Sequence, residues 1–469
     1  MARKLRFIAA SSAAILITAG VGTTARAETL QEAVRVLLET NPELRASAFT
    51  RNASDEVVRQ AKADYYPKID IEAGRGVQEF QKPDGLDLDP KTARIGLRQN
   101  LFTGFATKNN VRRTKAHMRA SAYQVRDTSN NVALNTSKAY LDVLLKQQLV
   151  GLANENLVIH KRIKDQIELR SGSGVSRRAD VDQIMSRMAL AQSNVVNTKA
   201  NLIDAQTKYQ AVVGHVPQDL VQPESIDHLM PASLEEAERL AVEEHPRLMS
   251  TESDLRAREA QHDIAKAPYY PTFDLELDKV WEDEVYINPD QAKRESWIAF
   301  LRMRWNLFNG LKDDARSKET AYQIEEAKEI RNNSYRQVIE SIRLSWASYQ
   351  AAMDRLGFLE ERATTARKTA DAYDKQWNIG QRTLLDVLDS EAEVINAREK
   401  LYEAQSEKYY AEYRILDSLG RLVPSLGLQY PEQAYLEEDE QEDQAEPEAA
   451  VETKEEPAPA AEETKMGPG

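Results

Sequence analysis

Two hydrophobic rhythms alternate along this chain, and the alternation happens twice. Apolar residues first recur at intervals of three and four, then at every second position, then again at three and four over very long runs. The first rhythm is that of a helix with one buried face, the second that of a half-buried strand. The switch from helix to strand carries nearly the same residues both times. Ala61-Lys62-Ala63-Asp64-Tyr65-Tyr66-Pro67 returns 204 residues later as Ala265-Lys266-Ala267-Pro268-Tyr269-Tyr270-Pro271. The residue before a proline is pushed out of helical geometry, so each helix is expected to end there.

Upstream of each switch, Thr29-Leu30-Gln31-Glu32 and Ser233-Leu234-Glu235-Glu236 have the spacing of a capping box, in which hydroxyl and carboxylate satisfy each other's backbone N–H. Each box opens a short helix, and a second helix starts at Pro42 or Pro246, since proline is tolerated in a first turn. Four strands are predicted downstream, over 68–80, 93–101, 272–281 and 297–307. Ile69, Ile71, Ala73 and Val77 oppose Asp70, Glu72 and Gln78. Ala93, Ile95, Leu97 and Leu101 oppose Arg94 and Arg98. Phe273, Leu275, Leu277 and Trp281 oppose Asp274, Glu276 and Asp278. Trp297, Ala299, Leu301, Met303, Trp305 and Leu307 oppose Arg302 and Arg304.

Strands of this length with one apolar and one charged face suit a tilted membrane crossing, and Trp281, Trp297 and Trp305 suit its interface belt. A soluble sandwich would show the same alternation, but it needs a core to cover the apolar faces, and the rest of the chain reads as coiled coil. The arginines and carboxylates on the other face are expected either to form cross-strand ion pairs lining a wet pore or to be simply solvated. The linkers 81–92 and 282–296 are polar and long for hairpins.

Leu101-Phe102-Thr103-Gly104 and Leu307-Phe308-Asn309-Gly310 close the strand pairs and open helices predicted over about 105–170 and 311–378. Each would run roughly 100 Å. The second has a nearly unbroken seam from Tyr335 through Val338, Ile342 and Ala352 to Ala370, Tyr373 and Trp377; the first is weaker. A return helix follows each. The later one has two apolar lines, Val387-Val394-Leu401-Ala411-Ile415 and Leu388-Ile395-Tyr402-Tyr409-Leu416, which implies neighbours on both sides. The fold class is α+β: a tall wall of long coiled-coil helices with four antiparallel strands at one end. Four strands cannot close a barrel, since small membrane barrels use about 8, so the chain must oligomerise.

The organisation is then residues 1–27 as an export signal, 28–232 and 233–426 as two copies of one unit, and 427–469 as an acidic disordered tail. The signal reads from Arg3, Lys4 and Arg6, the apolar run Phe7–Val21, and Ala25-Arg26-Ala27. The chain has 469 residues, no cysteine and a net charge of −14. The segment 437–469 holds 13 acids against two lysines, which leaves −3 for everything else. The body lacks the basic excess of a nucleic-acid binder. It also shows no cofactor, metal or enzyme motif. The six histidines are scattered, and Ser171-Gly172-Ser173-Gly174 lacks the lysine of a phosphate loop.

With the duplication, the Tyr-Tyr-Pro entries, the Leu-Phe-x-Gly exits and the turn Gly380-Gln381-Arg382-Thr383-Leu384-Leu385-Asp386-Val387-Leu388-Asp389 in hand, the chain resembles the TolC-like outer-membrane factor family over roughly 28–426. The resemblance implies a homotrimer embedded in outer-membrane lipid, with a 12-stranded β-barrel and a 12-helix periplasmic tunnel. It implies a passive exit duct of type I protein secretion, similar to the agglutination and adhesin-export branch, served by a periplasmic membrane-fusion adaptor and an inner-membrane ABC transporter. An outer channel of a multidrug or metal efflux pump, with an RND pump as its transporter, is the alternative. A periplasmic coiled-coil scaffold without a pore is another.

The resemblance also puts the turns at Gly174 and Gly380 at the periplasmic tip. It makes Asp386 and Asp389, with Asp180 in the first copy, a ring of carboxylates at a closed aperture that Arg382 and Trp377 help hold. On the residues alone, Thr383 and Asp386 read as a T-x-x-D helix cap, Trp377 as the last seam position and Arg382 as a solvated charge.

Overall fold

Two helices of 67 residues set the length of the molecule: α3 (Ala106–Gly172) and α7 (Lys312–Asn378). At 1.5 Å per residue each runs about 100 Å. The computed structural model describes residues 27–80, 86–172, 177–283, 285 and 293–436. Ahead of α3 lie α1 (Leu30–Thr40), α2 (Pro42–Ala63), β1 (Lys68–Arg75), β2 (Gln78–Phe80), β3 (Leu86–Leu88) and β4 (Lys91–Thr103). Between the long helices come α4 (Arg178–Val213), α5 (Leu234–Glu244), α6 (Pro246–Ala265), β5 (Thr272–Asp283) and β6 (Lys293–Arg304). After α7 follow α8 (Leu384–Ser418) and the short α9 (Leu422–Ser425). The pairs α1/α5 and α2/α6 are related by 204 residues, and α3/α7 and α4/α8 by 206.

Local chemistry sets most of these boundaries. Thr29 and Glu32 form the full capping box, both bonds at 3.2 Å. The second box is only half made: Ser233 accepts from Glu236 N–H at 3.2 Å, but the Glu236 carboxylate takes the N–H of Ala232 instead. Asn41 and His245 cap the proline-led helices α2 and α6 through their side chains. At both strand exits the chain takes two successive left-handed residues, Gly104-Phe105 (φ +63°, +67°) and Gly310-Leu311 (φ +72°, +66°). A Cβ on Gly104 would come within 2.5 Å of the Ala267 carbonyl, at the second repeat's Tyr-Tyr-Pro stretch. A Cβ on Gly310 would meet nothing within 4 Å.

The sheet order is β1-β4-β5-β6, antiparallel throughout. Its strands differ in extent from those predicted. The expected strand 68–80 ends at Arg75, and residues 78–80 instead pair with β3 as a small separate ribbon. β4 and β5 run longer than expected, to 91–103 and 272–283. β6 starts earlier, at Lys293, and stops at Arg304, so Trp305 and Leu307 lie beyond it. The central pair joins the two repeats, β4 ending the first and β5 opening the second.

Apolar contact between the helices is concentrated at the middle and the far end. The middle cluster gathers Leu30 and Val34 of α1, Tyr140 of α3, Tyr209 of α4, Ile342 of α7 and Tyr413 of α8. The far cluster joins Ile163, Ile167, Ile184, Trp377, Val387 and Leu388. Between them an alanine seam, Ala363, Ala366, Ala370 and Ala397, lets α7 and α8 approach closely. α8 packs on both α7 and α3, matching its two apolar lines.

The helix with the weaker seam, α3, is the more enclosed of the two. Its buried Ser129, Thr136 and Ser137 return their hydroxyl hydrogens to carbonyls four residues back at 2.7–2.9 Å. After α8 the chain forms a strap: Asn130 holds Gly420 and Val423, Tyr430 bonds Asn130, and Arg126 donates to the Ala434 carbonyl at 2.8 Å. Among the described residues no helix is long and apolar enough to cross a membrane.

Asp417 of α8 sits where burial and the nearby Asp127 carboxylate push its carboxyl up to about 7, with Arg414 opposing. In the unfolded chain it would ionise near 4. Folding therefore retains a proton between those values, and stability falls as pH rises through that window, by at most about 1.4 kcal/mol per unit. Asp417→Asn removes the effect. Melting curves of parent and variant should nearly coincide at pH 4 and diverge by pH 8, the variant melting higher; a constant gap would contradict this origin.

Candidate functional site

The register brings nine charged residues from the four strands onto one face, in columns of alternating sign. β1 contributes Asp70 and Glu72, β4 Arg94 and Arg98, β5 Asp274, Glu276 and Asp278, and β6 Arg302 and Arg304. Arg94 clasps Asp278 with two bonds of 3.0 and 2.9 Å and lies 3.7 Å from Glu72. Glu276 is shared between Arg302, at 2.8 Å, and Arg98, at 3.6 Å. Arg304 pairs with Asp274. The expected ion pairs therefore form. The carboxylates of β5 are buried beneath the guanidinium groups, which stay half-exposed. β6 departs from strict alternation, because Ile298 and Phe300 share the charged face.

Gly96 makes the two-bonded Arg94–Asp278 pair possible: a Cβ there would stand 2.6 Å from Asp278 Oδ1. Sequence reasoning did not single it out, although glycine within a strand is the ordinary sign of a close approach. The opposite face is apolar and bare, with Ile71 at 76% and Trp297 at 80% exposure. On this face Lys279 lies between Trp281 and Trp297, 5.3 and 5.2 Å from the ring centres, and binds Glu295 at 3.1 Å.

At the other end of the long helices, α7 turns into α8 through Gly380 at φ +80°. Gly174, its expected counterpart, lies outside the described residues. Thr383 and Asp386 make a reciprocal cap: Asp386 N–H donates to the hydroxyl at 3.3 Å, and the carboxylate accepts from Thr383 N–H and hydroxyl at 3.0 and 2.8 Å. Those bonds hold the exposed Asp386 carboxyl below the usual carboxylate range. Asp180 caps α4, accepting from Arg177 N–H at 3.1 Å.

Asp389 instead pairs with Arg187 of α4 at 3.0 Å, tying the two return helices together. Trp377 is 5% exposed, packed in the far cluster, and Arg170 of α3 stacks on its ring at 4.1 Å while bonding Asn378. Arg382 stacks on Tyr373 at 4.1 Å and donates to Gln376. The five expected tip residues thus gather at one end. Arg170 and Arg187, which link the two hairpins there, carry no local motif by which the sequence alone would single them out.

The family model described as outer membrane efflux protein matches residues 33–215 and 239–421, most of the chain, in two segments. The chain belongs to the outer membrane efflux protein family. Members are outer-membrane channels rather than enzymes. The chain is 26% identical over 438 residues to the outer membrane efflux protein BepC of Brucella suis, covering 90% of this chain and 94% of that one. It is 23% identical over 425 residues to the outer membrane protein TolC of Escherichia coli, covering 87% and 85%. It is 21% identical over 411 residues to the alkaline protease secretion protein AprF of Pseudomonas aeruginosa, covering 84% and 83%. The fold matches the Campylobacter jejuni CmeC outer membrane channel with a TM-score of 0.74 at 13% identity, covering 86% and 87%.

The site predicts a specific sensitivity at Gly96. Gly96→Val forces Asp278 away from Arg94 and should cost about 1–3 kcal/mol by overpacking. Gly76→Val, whose nearest neighbour would be Pro90 Cγ at 3.7 Å, serves as the control. Thermal melting of the two variants in detergent checks the difference; equal losses would contradict the role given to Gly96.

Proposed function

We propose that three copies of this chain form an outer-membrane exit duct, with the sheet as one third of a 12-stranded barrel and the helices as one third of a periplasmic tunnel. The observation that carries this reading is the sheet itself. It has a bare apolar face, a charged face, and two unpaired edges, β1 and β6. In lipid an open edge is untenable, and only closure removes it. The charge columns run acid, base, acid, base from β1 to β6, so a second copy's acidic β1 beside this copy's basic β6 continues the alternation. Residues 1–27 would direct export, and the apolar face with Trp281 and Trp297 would meet outer-membrane lipid.

At the tip, threefold repetition of Asp386 and Asp389 gives six exposed carboxylates around one axis, a ring that favours cations. Arg382 and Trp377 buttress the turn that presents them, and Asp180 caps the equivalent turn. The charged sheet face, with Arg94, Arg98, Asp274, Glu276, Arg302 and Arg304, would line a pore whose charges largely cancel, leaving ion preference to the tip. Removing both carboxylates, Asp386→Ala with Asp389→Ala, should raise single-channel conductance in lipid bilayers and weaken cation preference severalfold. Unchanged currents would remove the aperture assignment.

Within this reading the duct serves type I protein secretion, taking cargo from an inner-membrane ABC transporter through a periplasmic adaptor. A relative named for protease secretion supports that assignment. A drug or metal efflux channel working with an RND pump is the second reading, supported by the efflux protein relative of higher identity. A chromosomal deletion, scored for secreted proteins and for drug and metal susceptibility, separates them. Loss of a large secreted protein with normal susceptibility is the expected result; hypersensitivity with an intact set of secreted proteins would establish the efflux role instead.

A further inference from the structure

The duplication makes one vacancy visible. In the first repeat, the groove between α2 and α3 is filled by the strap: Ala434 packs on Leu44 and Val125, with Leu38 and Tyr430 alongside. Shifted by 204 or 206 residues, Leu38, Leu44 and Val125 become Val242, Leu248 and Arg331. These three line a groove of about 630 Å³ on α6 and α7 that no described residue fills. Two substitutions change its character. Arg331 stands where Val125 takes an alanine methyl, and Arg256 stands where α2 has Asn52. They share a single carboxylate, Glu252, at 3.1 and 3.9 Å. The second groove thus has the shape of a strap site with a surplus of positive charge.

The strap itself points to the occupant. It leaves α8 beside the start of α6, where Gly420 abuts His245 and Pro246, crosses α3 at Asn130 and Arg126, and reaches α2 at Leu44. By the same duplication, α2 stands to a neighbouring copy's α7 as α6 stands to α3 within this chain. Two helix spacings of about 8–10 Å each, α2 and the neighbour's α7, then separate the strap's end from the neighbour's groove. Five or six extended residues span that distance at about 3.3 Å each, which brings the acidic segment after Leu436 to the groove. Six of the seven residues 437–443 are Asp or Glu.

We propose that the acidic segment 437–443 of each copy docks in the α6/α7 groove of its neighbour, pairing with Arg256 and Arg331, so that the tail ties adjacent copies together around the outside of the helical wall. This rests on the ring of copies proposed above, and the experiment keeps the two apart.

The chain has no cysteine, so introduced pairs report without background. Glu438→Cys with Asn332→Cys reads the tail site. Ala73→Cys with Met303→Cys reads the barrel edge, at the register equivalent of the observed Leu97–Leu277 pair. Oxidised full-length protein from outer-membrane extracts is run on denaturing gels without reductant. Ladders of linked copies from both pairs are expected, and Arg256→Glu with Arg331→Glu should abolish the tail ladder while leaving the edge ladder. An edge ladder without a tail ladder overturns the docking alone. A tail link confined to single chains, or one indifferent to the two arginines, overturns docking on the neighbour or its charge basis. Absence of both ladders overturns the ring, and the docking with it.

Discussion

An unpaired backbone edge has no partner in lipid, and this constraint governs the rest of the molecule. Each copy offers a four-stranded sheet whose apolar face is uncovered and whose edges, β1 and β6, are open. Nothing among the described residues satisfies either. The charged face, by contrast, is settled internally, with Asp274, Glu276 and Asp278 of β5 held by arginines of the flanking strands. One side of the sheet is therefore complete in a single chain and the other two requirements, lipid and a neighbouring edge, come from outside.

The duplication states the same requirement in helical form. Contacts that the second repeat gives to the first are filled within the chain, while those that the second repeat itself needs are missing. Gly104 is pressed against Ala267 and Tyr270, whereas its twin Gly310 faces open space. α3 is wrapped by α2, α6, α4 and α8, whereas α7 leaves Tyr322 and Phe358 about three-quarters exposed. A ring of copies lets one set of rules serve both repeats. The large apolar surface left bare on α7 then has the same role as the buried surface of α3.

Much of this was legible in the sequence because the signals are local or strictly periodic. The Tyr-Tyr-Pro and Leu-Phe-x-Gly stretches end helices and strands by backbone sterics. The seam from Tyr335 to Trp377 is periodic over about 60 Å, and its members Val338, Ile342, Ala352, Ala370 and Trp377 are buried, while Tyr335 is half-exposed. Burial without apolarity left no such signal. Asp127-Thr128-Ser129-Asn130 is polar yet enclosed, with the Ser129 hydroxyl bonding its own helix and Asn130 serving the strap.

The first strand stops at Arg75 because its register partner β4 runs out at Lys91, and residues beyond that pair with β3 instead. At the tip, the proximity of Asp386, Asp389, Trp377 and Arg382 follows from one short turn and was readable. Their partners Arg170 and Arg187 come from a helical hairpin some 200 residues earlier, and only the packing brings them there.

On these grounds the chain is complete only among copies of itself. The most direct measurement is the mass of the particle extracted from outer membranes in mild detergent, corrected for bound detergent. Three chains per particle are expected, with no stable folded monomer. A monodisperse single chain that retains its helical content and melts cooperatively would contradict it.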